Sequence, residues 1–153
     1  MAKPRKTWRE KLLDDKDLPK VSVIEGKLSK RWGEGTCAIP APREVDEIMK
    51  SVPKGRLITT KDIQATIAQK HSASMACPMC CGIFAWIAAH AADEAEAEGA
   101  KTITPYWRTL KSGGELNPKF PGGVEVLKVR LEAEGQRVVV KGKKWLVADY
   151  ESR

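Results

Sequence analysis

The chain has 153 residues, 42% of them apolar, which gives room for one domain with a single core and a modest extension and leaves none for a second full domain. Its formal net charge of +7 suits a polyanion such as nucleic acid, or serves as a solubilising basic surface; charge alone leaves both open. The longest weakly polar run, Cys77 to Ala92, is shorter than the span of about 20 residues that a membrane helix needs and contains His90, so it is read as a buried helix, with no membrane partner expected.

The N terminus, MAKPRKTWREKLLDDK, is charged and lacks the apolar stretch of a signal peptide. With four cysteines, this points to a reducing compartment, and the expected location is cytoplasmic. Residues 1–39 carry Lys3, Arg5, Lys6, Arg9, Lys11, Lys16, Lys20, Lys27, Lys30 and Arg31 with no sustained helical stripe. They are read as a basic N-terminal extension, either a loosely packed segment or an arm that contacts phosphates.

Ile39-Pro40-Ala41-Pro42 marks the start of the domain, residues 40–153. Val45, Ile48, Met49 and Val52 follow at helical spacing, with Glu44, Asp46 and Glu47 in the first turn, so a first domain helix is predicted there. Thr59 with Asp62 three residues later is a capping signal for a second helix through Ile63 and Ile67, ending near His71. A third helix begins at Cys77-Pro78, because proline is tolerated in the first turn, and is expected to bury Ile83, Phe84, Ile87, Ala88 and Ala91. Two helices joined by a short turn make a helix-turn-helix. The acids Asp93, Glu94, Glu96 and Glu98 would repel phosphate, which places the far end of the third helix away from a polyanion, solvated and terminated by Gly99.

From Thr104 to Gly135 a loop, a glycine turn and a capped helix run together. Pro105 fixes the start of Tyr106-Trp107-Arg108, and Gly113-Gly114 permits positive φ. Pro121-Gly122-Gly123 leads into a helix with Val124, Leu127 and Leu131 on one face, and Gly135 stops it. Val138-Val139-Val140 and Trp145-Leu146-Val147 flank a Lys141-Gly142-Lys143 turn, which reads as a β-hairpin. The fold class is therefore mainly α with a small β-hairpin, a winged-helix-like helix-turn-helix domain with an N-terminal extension.

Cys77-Pro78-Met79-Cys80 has the C-x-x-C spacing of zinc and redox sites, with Cys81 adjacent and His71 nearby. No second such pair follows and Cys37 is distant in sequence, so no metal or cofactor is assigned. A reactive thiol or disulfide, a metal ligand, or small buried residues with a helix cap all remain readings of this cluster.

The order of these motifs resembles the C-terminal domain of the alkylguanine-DNA alkyltransferases, the methylated-DNA-protein cysteine methyltransferases, over roughly Ala41 to Tyr150. Val52-Pro53-Lys54-Gly55-Arg56-Leu57-Ile58-Thr59-Thr60 matches the family's strand and turn. Pro105-Tyr106-Trp107-Arg108 stands at the reactive Pro-Cys-His-Arg loop, Ser112-Gly113-Gly114 at the Ser-x-Gly turn, and Phe120-Pro121-Gly122-Gly123 at the aromatic before Gly-Gly. Glu134-Gly135 stands at the closing Glu-Gly. The resemblance implies a third helix that enters the DNA minor groove by its N-terminal end, Met75 to Gly82, with the hairpin as the wing. The run HAADEAEAEGAKTI is an insertion of about ten residues relative to the family, and residues 1–39 are too few for the extra domain that precedes the family's DNA-binding one.

The resemblance also argues against the family's reaction. Tyr106 replaces the alkyl-accepting cysteine and Trp107 the activating histidine, so that only Glu134 of the family's reacting groups remains. A phenol with an ordinary pKa near 10 is neutral and a poor nucleophile toward an alkyl carbon. The family includes alkyltransferase-like members with tryptophan at the cysteine position that keep lesion binding, so Tyr106 and Trp107 either line a pocket for an extruded base or pack into the core. The arginine that fills the gap left by a flipped base falls near Met79 or Cys80, and the tyrosine that presses on the target phosphate falls at Thr60. Met79 remains as an apolar wedge. Arg108 binds either a phosphate or the carbonyls of its own loop, and Lys111, Ser112 and Lys119 are backbone-contact candidates.

The function these features imply is binding of double-stranded DNA without alkyl transfer, with recognition of alkylated DNA for repair and a repair-protein partner as the finer expectations. The alternatives are a cysteine-based methyltransferase or redox protein using Cys77, Cys80 or Cys81, and a protein-interaction module that keeps only the fold.

Overall fold

A computed structural model of the chain describes residues 7–14, 17–26, 29–30 and 33–148. Lys3, Arg5, Lys6, Lys16, Lys27 and Arg31 of the basic extension, and the end of the expected domain from residue 149, lie outside the described residues.

Helix α1, Trp8–Leu13, begins at Thr7, whose hydroxyl accepts the Glu10 amide. Strand β1, Lys20–Val23, pairs antiparallel with β2, Thr36–Ile39, and β2 pairs in parallel with β4, Met75–Ala76. Helix α1 and strands β1 and β2 were not expected in a loosely packed extension, and for the described residues that reading of the extension, one of two, is corrected. Trp8 finds an aromatic partner on a helix some eighty residues away in the chain, and the backbone of Cys37 and Ala38 pairs with Met75 and Ala76. Neither partnership shows in local periodicity.

Helix α2, Pro42–Lys50, starts with proline in its first turn, and the Glu44 carboxylate reaches back to accept the Ala41 amide at 2.9 Å. Val45 and Met49 are fully buried. The short strand β3, Ile58–Thr59, runs into α3, Thr60–Lys70, through the expected capping box: Thr59 N–H donates to Asp62 at 2.8 Å and Asp62 N–H to the Thr59 hydroxyl at 3.4 Å. His71 closes that helix. Residues 71–77 then lead to α4, Pro78–Ala97; this connection has the predicted ends but contains β4, a strand that was not predicted.

Helix α4 is the spine of the molecule. Cys81, Ala85, Ala88, Ala89 and Ala92 bury one face of it against α2 and α3. Ile83, expected in the core, is instead 44% exposed, and Phe84 and Ile87 are only half-buried. A helix with apolar residues nearly all round does not disclose its inner face by periodicity. Here the small side chains go inside, because close helix contact needs alanine and the larger residues fill the flanks. Gly99, at φ +99, follows the end of the helix as predicted. The acids near that end are engaged: Glu94 and Glu98 bind Arg9, and Glu96 binds Arg130.

A 3-10 turn at Tyr106–Arg108 leads into β5, Thr109–Leu110, which pairs in parallel with β3. Helix α5, Gly123–Ala133, buries Leu127 and Leu131, and Gly135 follows it at φ +88. The predicted hairpin forms as β6, Val138–Lys141, and β7, Lys144–Val147, and Leu116 N–H donates to Trp145 O at 2.8 Å, joining it to the preceding loop. Among the described residues helices dominate the regular structure, with three small sheets where the expected fold class named one hairpin. Among the described residues no helix is long and apolar enough to cross a membrane.

Candidate nucleic-acid interface

The first turns of α4 present Met79, 71% exposed, and Ile83, one turn further along the same face. Opposite them stand Lys111 and the segment Asn117-Pro118-Lys119, and together with Pro78, Gly82 and Trp86 these residues line a cleft of about 460 Å³. Three sequence candidates, Met79, Lys111 and Lys119, therefore meet in one place.

Local chemistry builds the loop wall. The Asn117 side-chain oxygen accepts the Lys119 amide at 3.0 Å, and the Asn117 carbonyl accepts the Phe120 amide at 3.2 Å. Phe120, 3% exposed, anchors the end of the turn in the core. Lys111 begins a second tight segment in which Gly113, at φ +83, takes a conformation that favours glycine. The Lys111 ammonium lies 3.9 Å from Glu115, whereas Lys119 has no acidic partner among the described residues, so Lys119 presents the freer charge.

The other candidates fall elsewhere. Ser112 is exposed beside Lys111 but does not line the cleft, and Thr60 is half-buried in the first turn of α3. Cys80 is half-buried and turned toward Cys37 and Cys77. Pro78 and Gly82 fall in the helix end, Met75 to Gly82, that the resemblance placed at DNA, whereas Ile83, Trp86, Asn117 and Pro118 were not singled out from the sequence. The Asn117-Pro118 turn dipeptide was the one local signal for them.

The segment that the resemblance aligns with a reactive loop is closed. Tyr106 is 1% exposed, with its ring edge-on to Trp107 at 5.3 Å and to Phe120 at 6.2 Å, and Arg130 lies over both Tyr106 and Trp107. Burial pushes its phenol pKa up. Of the two readings left open for Tyr106, this burial favours the second: its ring fills the core. Trp107 is half-buried; its buried indole N–H makes no hydrogen bond of good geometry but lies close enough to the Glu134 carboxylate to help lower that group's pKa. Arg108 takes the structural of its two roles, donating to Glu134 and to Val52 O. Burial alone would raise the Glu134 carboxyl, but the Arg108 guanidinium overrides it and holds that group below its ordinary value.

Cys77 caps α4, its sulfur accepting the Cys80 amide at 3.4 Å. The four cysteines are free. Burial, followed by the contact with Cys77, pushes the Cys80 thiol up to about 12, and burial likewise raises Cys81 to about 12. Neither is a thiolate near neutral pH. Among the described residues no three His, Cys, Asp or Glu side chains converge as a metal site.

No family model matches the chain, and no curated protein matches it. Among solved structures it is similar to S. pombe Atl1 in a crystal structure of the complex with damaged DNA containing O6-carboxymethylguanine. The identity is 17%, the match covers 72% of this chain and 90% of that one, and the TM-score is 0.47. That level of identity and superposition is too low to carry function across.

Proposed function

We propose that this protein docks on double-stranded DNA through the cleft and does not transfer alkyl groups. The observation that carries the reading is the juxtaposition of two exposed apolar side chains at the start of α4, Met79 and Ile83, with the lysines at positions 111 and 119. A helix end with apolar wedges facing a cationic loop wall suits a minor groove, where phosphates are neutralised at the rim and an apolar group unstacks a base step. In this reading α3 and α4 form the helix-turn-helix, β6 and β7 the wing, and the motif resemblance supports alkylated DNA as the preferred target and a repair protein as partner. The raised Cys80 and Cys81 thiols favour this reading over a cysteine-based transferase or redox protein.

The test is fluorescence anisotropy with matched duplexes, one plain and one containing an O6-alkylguanine, across a salt series. Binding should weaken steeply with salt, and Lys119→Ala or Lys111→Ala should flatten the log–log slope by about one unit. Met79→Ala and Ile83→Ala should weaken binding with the slope unchanged, because no counterion release is lost. Absence of binding to either duplex at low salt would sink the docking reading. Equal affinity for the two duplexes would remove the lesion preference alone.

A further inference from the structure

We infer that helix α1 is a working part of the cleft: Trp8 holds His90, and His90 positions the Lys119 wall. The inference rests on the docking reading for its functional consequence, while the contacts themselves stand apart from it.

His90 Nε2 lies 3.0 Å from the Lys119 carbonyl oxygen. A carbonyl only accepts, so Nε2 carries the proton and donates. Asn117 shapes the turn from within, but among the described residues this bond from His90 is the tie between the Lys119 backbone and α4, the opposite wall. The imidazole is itself held. Trp8 stacks on it at 4.5 Å and 23°, and Trp86, which lines the cleft, meets its edge at 5.4 Å.

Trp8 in turn is fixed on α4 by charge and hydrogen bonding. Its backbone N–H donates to Glu94 at 3.2 Å, and the Arg9 side chain binds Glu94 at 3.0 Å and also Glu98. The acidic half of α4, ill-suited to DNA, thus serves to seat the first turn of α1, where a carboxylate also meets the positive end of the helix dipole. A continuous set of contacts runs from α1 through the ring of His90 to the backbone that carries the freer of the two cleft lysines. The N-terminal segment would then affect DNA binding by geometry, not by adding its own charge.

The test uses the full-length protein and three variants. His90→Phe keeps a ring against Trp8 but removes the donor, His90→Gln keeps a donor at similar reach without the ring, and Trp8→Ala loosens the ring from the α1 side. Hydrogen exchange of the Lys119 and Phe120 amides is measured without DNA, and duplex affinity is measured across a salt series. His90→Phe should speed exchange at both amides and weaken binding roughly threefold to tenfold, the range expected for one lost hydrogen bond. Its salt slope should move toward that of Lys119→Ala, and the His90→Phe/Lys119→Ala double variant should bind no more weakly than Lys119→Ala alone. His90→Gln should restore part of the protection and affinity, and Trp8→Ala should fall between wild type and His90→Phe.

Wild-type exchange and affinity in His90→Phe would overturn the inference, as would full additivity with Lys119→Ala. If His90→Phe does not fold, Trp8→Ala decides by the same readouts, unchanged exchange overturning the inference. If the wild type binds no duplex, the docking reading falls, and exchange at Lys119 and Phe120 still decides whether His90 holds the wall.

Discussion

Arg108 and Glu134 form a forked ion pair, with Arg108 Nε donating to Oε1 at 2.9 Å and Nη2 to Oε2 at 2.6 Å, where the resemblance would have the glutamate orient an activating histidine. Their side chains are only 14% and 9% exposed. Glu134 is here a structural partner, and it ties the Tyr106–Arg108 turn to the end of α5. The third guanidinium nitrogen donates to Val52 O, so the same arginine also holds the segment after α2.

Removing either partner should therefore destabilise the fold. Glu134→Ala or Arg108→Ala leaves a buried charge unpaired, and each should lose about 3 kcal/mol in denaturant unfolding. An Arg108→Met/Glu134→Leu double variant should lose less than the sum of the two single losses. Single-variant losses under about 1 kcal/mol would show the pair to be well solvated.

The same group gives a pH dependence. Glu134 and Glu44 both have depressed carboxyl pKa values in the folded state; burial works against ionisation in each, and Arg108 for the first and Lys70 with the Ala41 amide and His71 for the second outweigh it. Unfolded carboxyls titrate at about 4.3. The contribution is then fully present above that pH and is lost as pH falls through the lower folded values, where the unfolded chain binds more protons. Unfolding from about pH 6 to pH 3 should show falling stability, with a shallower decline in Glu134→Gln. A flat wild-type profile would contradict the assignment.

Tyr106 should accept no alkyl group, because it is a buried neutral phenol. Mass spectrometry after incubation with methylated DNA should find the Tyr106 peptide unmodified. Tyr106→Cys should also fail to repair, since Trp107 cannot serve as a base, and repair by that variant would mean another group activates the thiol. Tyr106→Ala should cost about 3–5 kcal/mol of stability through the cavity it leaves.

Two glycines with similar backbone angles should respond differently to a methyl group. Gly122, at φ +80, would place a Cβ 2.4 Å from Val126 Cγ2, whereas Gly113, at φ +83, faces open space. Both alanine substitutions strain the backbone by about 1–2 kcal/mol, and Gly122→Ala must in addition displace Val126. Thermal unfolding should rank Gly122→Ala as clearly the less stable. Equal effects would show that Val126 turns aside freely.

Thiol labelling tests the cysteine alternatives. Cys81 is inside the core and Cys80 is held as a neutral thiol, so native protein at about pH 7.5 should react slowly with iodoacetamide at both, far below the rate of denatured protein. Rapid native labelling of Cys80 would reopen the redox reading.

Local signals were enough for much of the frame. The Thr59 and Asp62 capping box, the Cys77-Pro78 helix start, the stop at Gly135 and the hairpin around Gly142 each depend on neighbours within a few residues, and each stands where the sequence places it. Ile63, Ile67, Leu127 and Leu131 are buried as their spacing requires. That Tyr106 and Trp107 stand where the resemblance has a cysteine and a histidine is likewise plain in the primary structure.

What only the tertiary structure decided depends on partners far apart in the chain. Periodicity could not orient α4, whose apolar residues surround it, so Ile83 emerged on the cleft face and alanines took the core. The pairing of β2 with β4 and the stacking of Trp8 on His90 join segments with no sequence rule between them. Arg108 could serve a phosphate or the protein on sequence grounds, and the position of Glu134 and Val52 O chose the protein. Helix caps and turns are short-range hydrogen-bond problems that a few residues solve. Which face is buried, and which charge is paired, is fixed only when the whole chain has closed around it.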